Sequence, residues 1–214
     1  WPNCWIPYTT WDQMTAPLIS MLDLRVAAML PIVYPNQVSS FEDFAKSCYL
    51  NDNFPPNTGY SSFGFGIYSI DENGERYHDT TGYNPSSNYQ LLIPSFETSK
   101  SLHHTMLVNI HSLPSRSIPL DLSISCFNNG GKSNCTSTMT DLIQLVADPL
   151  PRPSSIIFHP ITIQSNLSHL VGFSSVVLSW DTVLGNAPTT LKSHIHIILD
   201  SGATQATFLF EDGV

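Results

Sequence analysis

Residues 153–164, 171–188 and 193–213 read PSSIIFHPITIQ, VGFSSVVLSWDTVLGNAP and SHIHIILDSGATQATFLFEDG, and their periodicity decides the fold class. The first predicts an apolar strand over 156–163. The second predicts a strand over 171–180 that runs into a short amphipathic segment ending near Gly185-Asn186, and the third two strands flanking Asp200-Ser201-Gly202. Strand, strand, helical turn, strand, turn, strand is a succession that closes an antiparallel sheet. With the helical patterns upstream, the expectation is an α+β fold: an antiparallel sheet, an N-terminal helix, and further helices packed on the sheet.

Working back along the chain, MTAPLISMLDLRVAAML at 14–30 places Leu18, Met21, Leu22, Leu24 and Leu30 among few polar residues, as a helix against a sheet would, with Pro31 as its stop. AAMLPIVY at 27–34 is too short and too interrupted for a membrane span and reads as a buried core element. Ser39 and Glu42 have capping-box spacing and predict a second helix through FEDFAKSCYL, ending at Asn51-Asp52-Asn53. FGFGIYSIDENGERYHD predicts a hairpin around Asp71-Glu72-Asn73-Gly74, because Asn-Gly adopts positive φ with little strain. Residues 103–113 fit a helix or a strand. Residues 114–136 read as a loop with one strand over 120–126, and 139–147 as a helix leading to a stiff connector at Pro149, Pro151 and Pro153.

A chain of 214 residues can bury about 70% of its unfolded surface as one domain. The expected organisation is a single domain over 1–214, with a helical region at 14–52 and a mixed α/β core at 60–213. Lys and Arg number 8 against 17 acidic residues, for a net charge of −9, so a nucleic-acid backbone is repelled rather than gripped. The low charge content, the abundance of Ser, Thr, Asn and Pro, and a beginning at Trp1-Pro2 read as an excised ectodomain or partial chain.

Four cysteines allow three pairings. Cys126 and Cys135 bracket FNNGGKSN, a segment rich in chain-reversing residues, so a local disulfide is expected there, with Cys4–Cys48 as the remaining pair. Four free thiols in a reducing compartment is the alternative. Asn134-Cys135-Thr136 and Asn166-Leu167-Ser168 fit the N-glycosylation pattern.

Gly82-Tyr83-Asn84-Pro85 is followed, after a polar spacer, by Tyr89-Gln90-Leu91-Leu92-Ile93-Pro94; Pro31-Ile32 precedes a helix carrying Phe41, Glu42 and Phe44. Together with the Trp-ending strand and the last hairpin, this wording resembles the ectodomains of receptor-type nucleotide cyclases from microalgae, relatives of the CHASE sensor domains. Phe41 and Tyr89 stand where that family has Trp. The resemblance implies a PAS/CHASE-like sheet and a non-catalytic sensor domain on the extracellular side of the plasma membrane. It further implies a small-molecule or peptide ligand, no cofactor, and a homodimer formed through the full-length receptor, which touches the membrane only through flanking segments. The output implied is a nucleotide cyclase, guanylate cyclase first. An aromatic and amide wall of Tyr83, Tyr89, Gln90 and Trp180 is the expected ligand pocket.

Two other classes compete. A secreted or cell-surface adhesion or glycan-binding module suits the composition equally. Asp200-Ser201-Gly202-Ala203-Thr204 after IHIIL resembles the catalytic loop of retropepsin-like aspartic proteases, but a second aspartate, a flap and a supporting segment do not follow it, and Asp-Ser-Gly is strong turn chemistry. His194 and His196 share a strand face, yet a zinc site would need His159 or His169 brought from afar, so no metal is expected. His103, His104 and His111 read as solvated or satisfied side chains. Among the aromatics, Phe63, Phe65 and Tyr68 are expected on the sheet.

Overall fold

Val26–Pro31, the stretch whose apolar run suggests the end of a helix, is instead strand β1, buried along its whole length. A short apolar run buried on both faces carries no period that separates strand from helix, and here neighbours on both sides decide. The computed structural model describes residues 13, 15–17, 19, 20, 24, 26–51, 64–71, 73–98, 105–129, 135–145, 152–163, 166–185, 195–200 and 205–210. Of the predicted 14–30 helix, the described residues up to 20 are helical.

After β1, a 3-10 turn at Pro35–Gln37 leads into helix α1, Val38–Asn51. The predicted capping box is not used. Gln37 Oε1 accepts from the Tyr34 N–H at 3.2 Å, while the Glu42 carboxylate points away from the helix start and accepts from the Ile67 N–H at 2.8 Å. The hairpin is present as β2 (Tyr68–Ile70) and β3 (Arg76–His78), with Tyr68 opposite His78. Gly74 supplies φ +83° at its turn, and Asp71 Oδ1 accepts from the Asn73 and Glu75 N–H groups. The short β4, Glu97–Thr98, follows.

Pro114–Asn128 is a helix, α2, where a loop and a strand are expected. The alternation LDLSISC at 120–126 mimics a strand. In the folded chain Arg116, Ser117, Leu120, Ser123, Ile124 and Phe127 are buried at helical spacing, while Ile118 and Leu122 are exposed. A buried face that mixes serines and an arginine with leucine hides the helical period. The expected helix over 139–147 is likewise replaced: β5 is Thr138–Met139, and Ile143 bridges Ser154 in antiparallel fashion.

Strands β6 (Ser154–Ile163) and β7 (Asn166–Ser179) are the long antiparallel pair expected from the sequence, and β7 runs into the short helix α3, Trp180–Gly185. The large sheet has five antiparallel strands in the order β4-β1-β7-β6-β5. The last hairpin, β8 (Ile195–Asp200) and β9 (Gln205–Phe210), forms a two-stranded sheet of its own rather than closing the large one.

Two cores result. Between the large sheet and α2 lie Val26, Ala28, Leu30, Leu120, Ile124, Ile156, Phe158, Phe173 and Val177. Beside them, α1 packs Phe41, Ala45, Cys48 and Tyr49 against Ile67, Leu92, Phe96, Met106 and Leu107. Cys126 is joined to Cys135, with the Cα atoms 5.7 Å apart, which ties the end of α2 to the chain entering β5. Cys48 is also disulfide-bonded; Cys4 lies outside the described residues. Among the described residues, no helix is long and apolar enough to cross a membrane.

Candidate functional site

A cavity of roughly 130 Å³ lies over the middle of the large sheet. Its floor is built by register: Val26 faces Val177, Ala28 faces Ser175, and Ile156 and Phe158 lie alongside from β6. Ala28 and Ser175 are adjacent and small, between the larger pairs Val26–Val177 and Leu30–Phe173. The floor is therefore hollow at its centre, and no described residue of the cover fills it.

The cover comes from separate parts of the chain: Tyr68, Ile70 and Arg76 of the hairpin, Ser95, the segment around Thr105, Val108 and Ile110, Leu145, and Arg116 of α2. Arg76 lies over the Tyr68 ring, its guanidinium carbon 5.0 Å from the centroid, a cation–π contact that fixes one rim. Leu107, next to the lining, holds a positive φ of 60°. Its N–H donates to the Ser95 oxygen at 2.7 Å and its oxygen accepts from the Tyr68 N–H at 3.0 Å, so bonds on both sides hold a conformation a leucine rarely adopts.

The chemically distinctive group is Arg116. It is 8% exposed, its Nε has no hydrogen-bond partner, and it makes no ion pair among the described residues. Burial lowers its pKa to about 10, which still leaves the guanidinium charged at neutral pH. A buried charge without a partner is costly and invites an anion.

Behind the cover lies a second polar cluster. Asp79 accepts from Ser69 Oγ, from Asn109 Nδ2 at 3.0 Å and from the Thr81 and Gly82 N–H groups at 3.0 Å. Burial works against its charge, but the bonds from Ser69, Gly82 and Asn109 outweigh it and hold the carboxyl below its ordinary value. His111 is fully buried, with Asp121 Oδ1 at 2.7 Å and Ser87 Oγ at 3.2 Å. Both partners sit on Nε2, whereas a serine relay needs the carboxylate on one ring nitrogen and the hydroxyl on the other. This trio joins the 80s loop to α2 and cannot pass a proton from serine to carboxylate.

No family model matches the sequence, and no curated protein matches it.

The residues expected to wall a pocket stand elsewhere, and none of the four lines the cavity. Tyr83 is 67% exposed, Gln90 is exposed, and Tyr89 packs half-buried against the edge of the main core. Trp180 is half-buried, and its Nε1 donates to Ser155 Oγ at 3.0 Å. The segment around Tyr83 is occupied in turn-building: Asn84 Oδ1 accepts from the Ser86 N–H, and its Nδ2 donates to the His111 oxygen at 2.6 Å. Tyr68, read only as a sheet aromatic, does line the cavity.

Arg116 was missed by sequence reasoning. The signal was its scarcity: in a chain with 8 basic residues it is the one charge between His111 and Leu120. Asn134 lies outside the described residues; Asn166 is the first residue of β7. Among the described residues no three His, Cys, Asp or Glu side chains gather as a metal site. His159 and His169 are exposed on β6 and β7, with His159 Nδ1 2.9 Å from Ser137 Oγ, and His194 lies outside the described residues. Asp200 is exposed at the end of β8, and the residues after it, 201–204, lie outside the described residues.

Proposed function

We propose that this chain is the ligand-sensing domain of a membrane receptor, facing the extracellular side of the plasma membrane, with a nucleotide cyclase, in the first place a guanylate cyclase, as its output. The observation that carries the sensing part is the cavity between sheet and cover, with the buried Arg116 in its wall. Strand order adds support. Numbered along the chain, the strands of the large sheet run second, first, fifth, fourth, third, the winding of PAS-type sensor sheets. The disulfide suits an oxidising compartment. The cyclase output rests on the resemblance of the 82–94 and 153–213 segments alone.

In this reading a ligand touches the floor and α2 at once, and so favours the packing of α2 on the sheet that fits it; the output domain responds to that shift in population. Thermal shift of the chain across a panel of small metabolites tests the sensing part. At least one compound is expected to raise the melting temperature and to perturb the amide resonances of Ala28, Val108 and Ser175. A panel without any such compound removes the sensing reading. The receptor part is tested in the full-length gene: an apolar span of about twenty residues followed by a cyclase signature supports it, and a stop codon directly after Val214 replaces it with a secreted binding module.

A further inference from the structure

We infer that the cavity takes a small monocarboxylate with an apolar body, held through its carboxylate by Arg116. The inference rests on the sensing reading and names the ligand class for the same site. Three observations converge on it. Arg116 is nine-tenths buried, its Nε is without a partner, and it lines the cavity rather than facing bulk water. The remaining walls are mainly aliphatic and aromatic, with Ala28, Val108, Ile156 and Phe158 among them, and among the described residues no acidic side chain lines the cavity. The volume is of the order at which a dry cavity of about 150 Å³ accepts benzene, so the apolar body is a ring or a short chain of about six carbons.

The charge arithmetic selects the head group. A cation would meet the buried guanidinium as a like charge, and a neutral ligand would leave Arg116 as costly as it is in the empty site. A carboxylate presents two oxygens to the guanidinium fork and satisfies it bidentately. A phosphate also fits a guanidinium, but its second charge would need a second buried cation, and Arg76, the other cation of the lining, is exposed and lies over the Tyr68 ring.

The test is calorimetric titration of the chain, in a buffer free of carboxylates, with benzoate, phenylacetate and hexanoate, each against its neutral alcohol (benzyl alcohol, 2-phenylethanol, hexanol). At least one acid is expected to bind ten-fold or more tightly than its alcohol. Arg116→Met should fold with an unchanged or higher melting temperature, because it removes an unpaired buried charge, and should lose that preference. Arg116→Gln, which keeps a donor head without the charge, gives the same readout should the Met variant fail to fold. Acids and alcohols binding equally, in wild type and variants alike, overturn the carboxylate assignment and leave the sensing cavity standing. Probes that shift no cavity resonance in either form overturn the assignment as well, and a metabolite panel that also fails then removes the sensing reading with it.

Discussion

Asn109 Nδ2 donates to Asp79 Oδ2 at 3.0 Å, while Asn109 Oδ1 accepts from the Ile93 N–H at 3.0 Å. One side chain thus joins the chain leaving the hairpin to the extended segment that leads into Ser95 on the cavity wall. The Asp79 carboxyl is held below its ordinary value of 3.8 in the folded chain. Its contribution is therefore complete above that value and is lost as pH falls through the lowered folded value. Asp79→Ala, which strips Ser69 and Asn109 of an acceptor, should cost about 3 kcal/mol at neutral pH. In urea melts the variant should also lose less stability than wild type between pH 6 and pH 3. Parallel pH profiles would refute the role given to this carboxylate.

Gly82 sits at φ +59°, and a Cβ there would lie 2.6 Å from the Leu91 carbonyl carbon. Gly82→Ala combines left-handed strain with a backbone clash and should cost about 2–4 kcal/mol. A fall in the denaturant midpoint equivalent to less than about 1 kcal/mol would mean that the 82–91 approach is looser than described.

Tyr83 and Phe173 make a contrasting pair, one 67% exposed and the other fully buried. Tyr83→Ala should change stability by no more than about 0.5 kcal/mol, and Phe173→Ala should cost about 3–5 kcal/mol. Thermal melts of both variants check this directly, and a Tyr83 variant that unfolds early would contradict the exposed placement.

Ala28→Leu puts a side chain into the hollow of the floor. The void there should accept it at a cost below about 1.5 kcal/mol, unlike overpacking in a filled core, while the ligand-dependent rise in melting temperature disappears. A fully retained ligand shift in a folded Ala28→Leu protein places the binding site elsewhere.

The disulfide of α2 closes a short loop, for which chain entropy suggests about 3 kcal/mol. The double variant Cys126→Ser, Cys135→Ser should lose an amount of that order, and non-reducing peptide mapping of the wild type should recover Cys126 joined to Cys135. Recovery of Cys126 bound to any other cysteine rejects the pairing.

The parts of the fold legible from sequence were those whose pattern is local. Strands β6 and β7 are long runs rich in Ile, Val and Phe, the β2–β3 turn carries its own Asn73-Gly74 signal, and α1 has a clean apolar face of Phe41, Ala45 and Cys48. Val26–Pro31 was illegible because both its faces are buried, with Ala27 and Met29 packing near Ile19 on the side away from the main core. Helix α2 was illegible because its inner face carries Arg116, Ser117 and Ser123. The cavity has no local signature at all: Ala28 and Ser175 become neighbours only through pairing of the first and last strands of the sheet. Tyr83 and Gln90 stood out as a motif, yet their neighbourhood builds a turn.

That first-to-last pairing also sets a timetable. Ala28 meets Ser175 in the register of β1 and β7, so during synthesis β1 waits until the chain has emerged as far as β7. At about 5–20 residues per second the delay is roughly seven to thirty seconds. Throughout it, the edge of this apolar strand that β7 will take is unpaired, since the short β4 pairs only on the other side, and such an edge pairs with whatever strand it meets first. The nascent chain depends on holding that strand apart until its partner arrives, and the hollow above Ala28 comes into being only when it does.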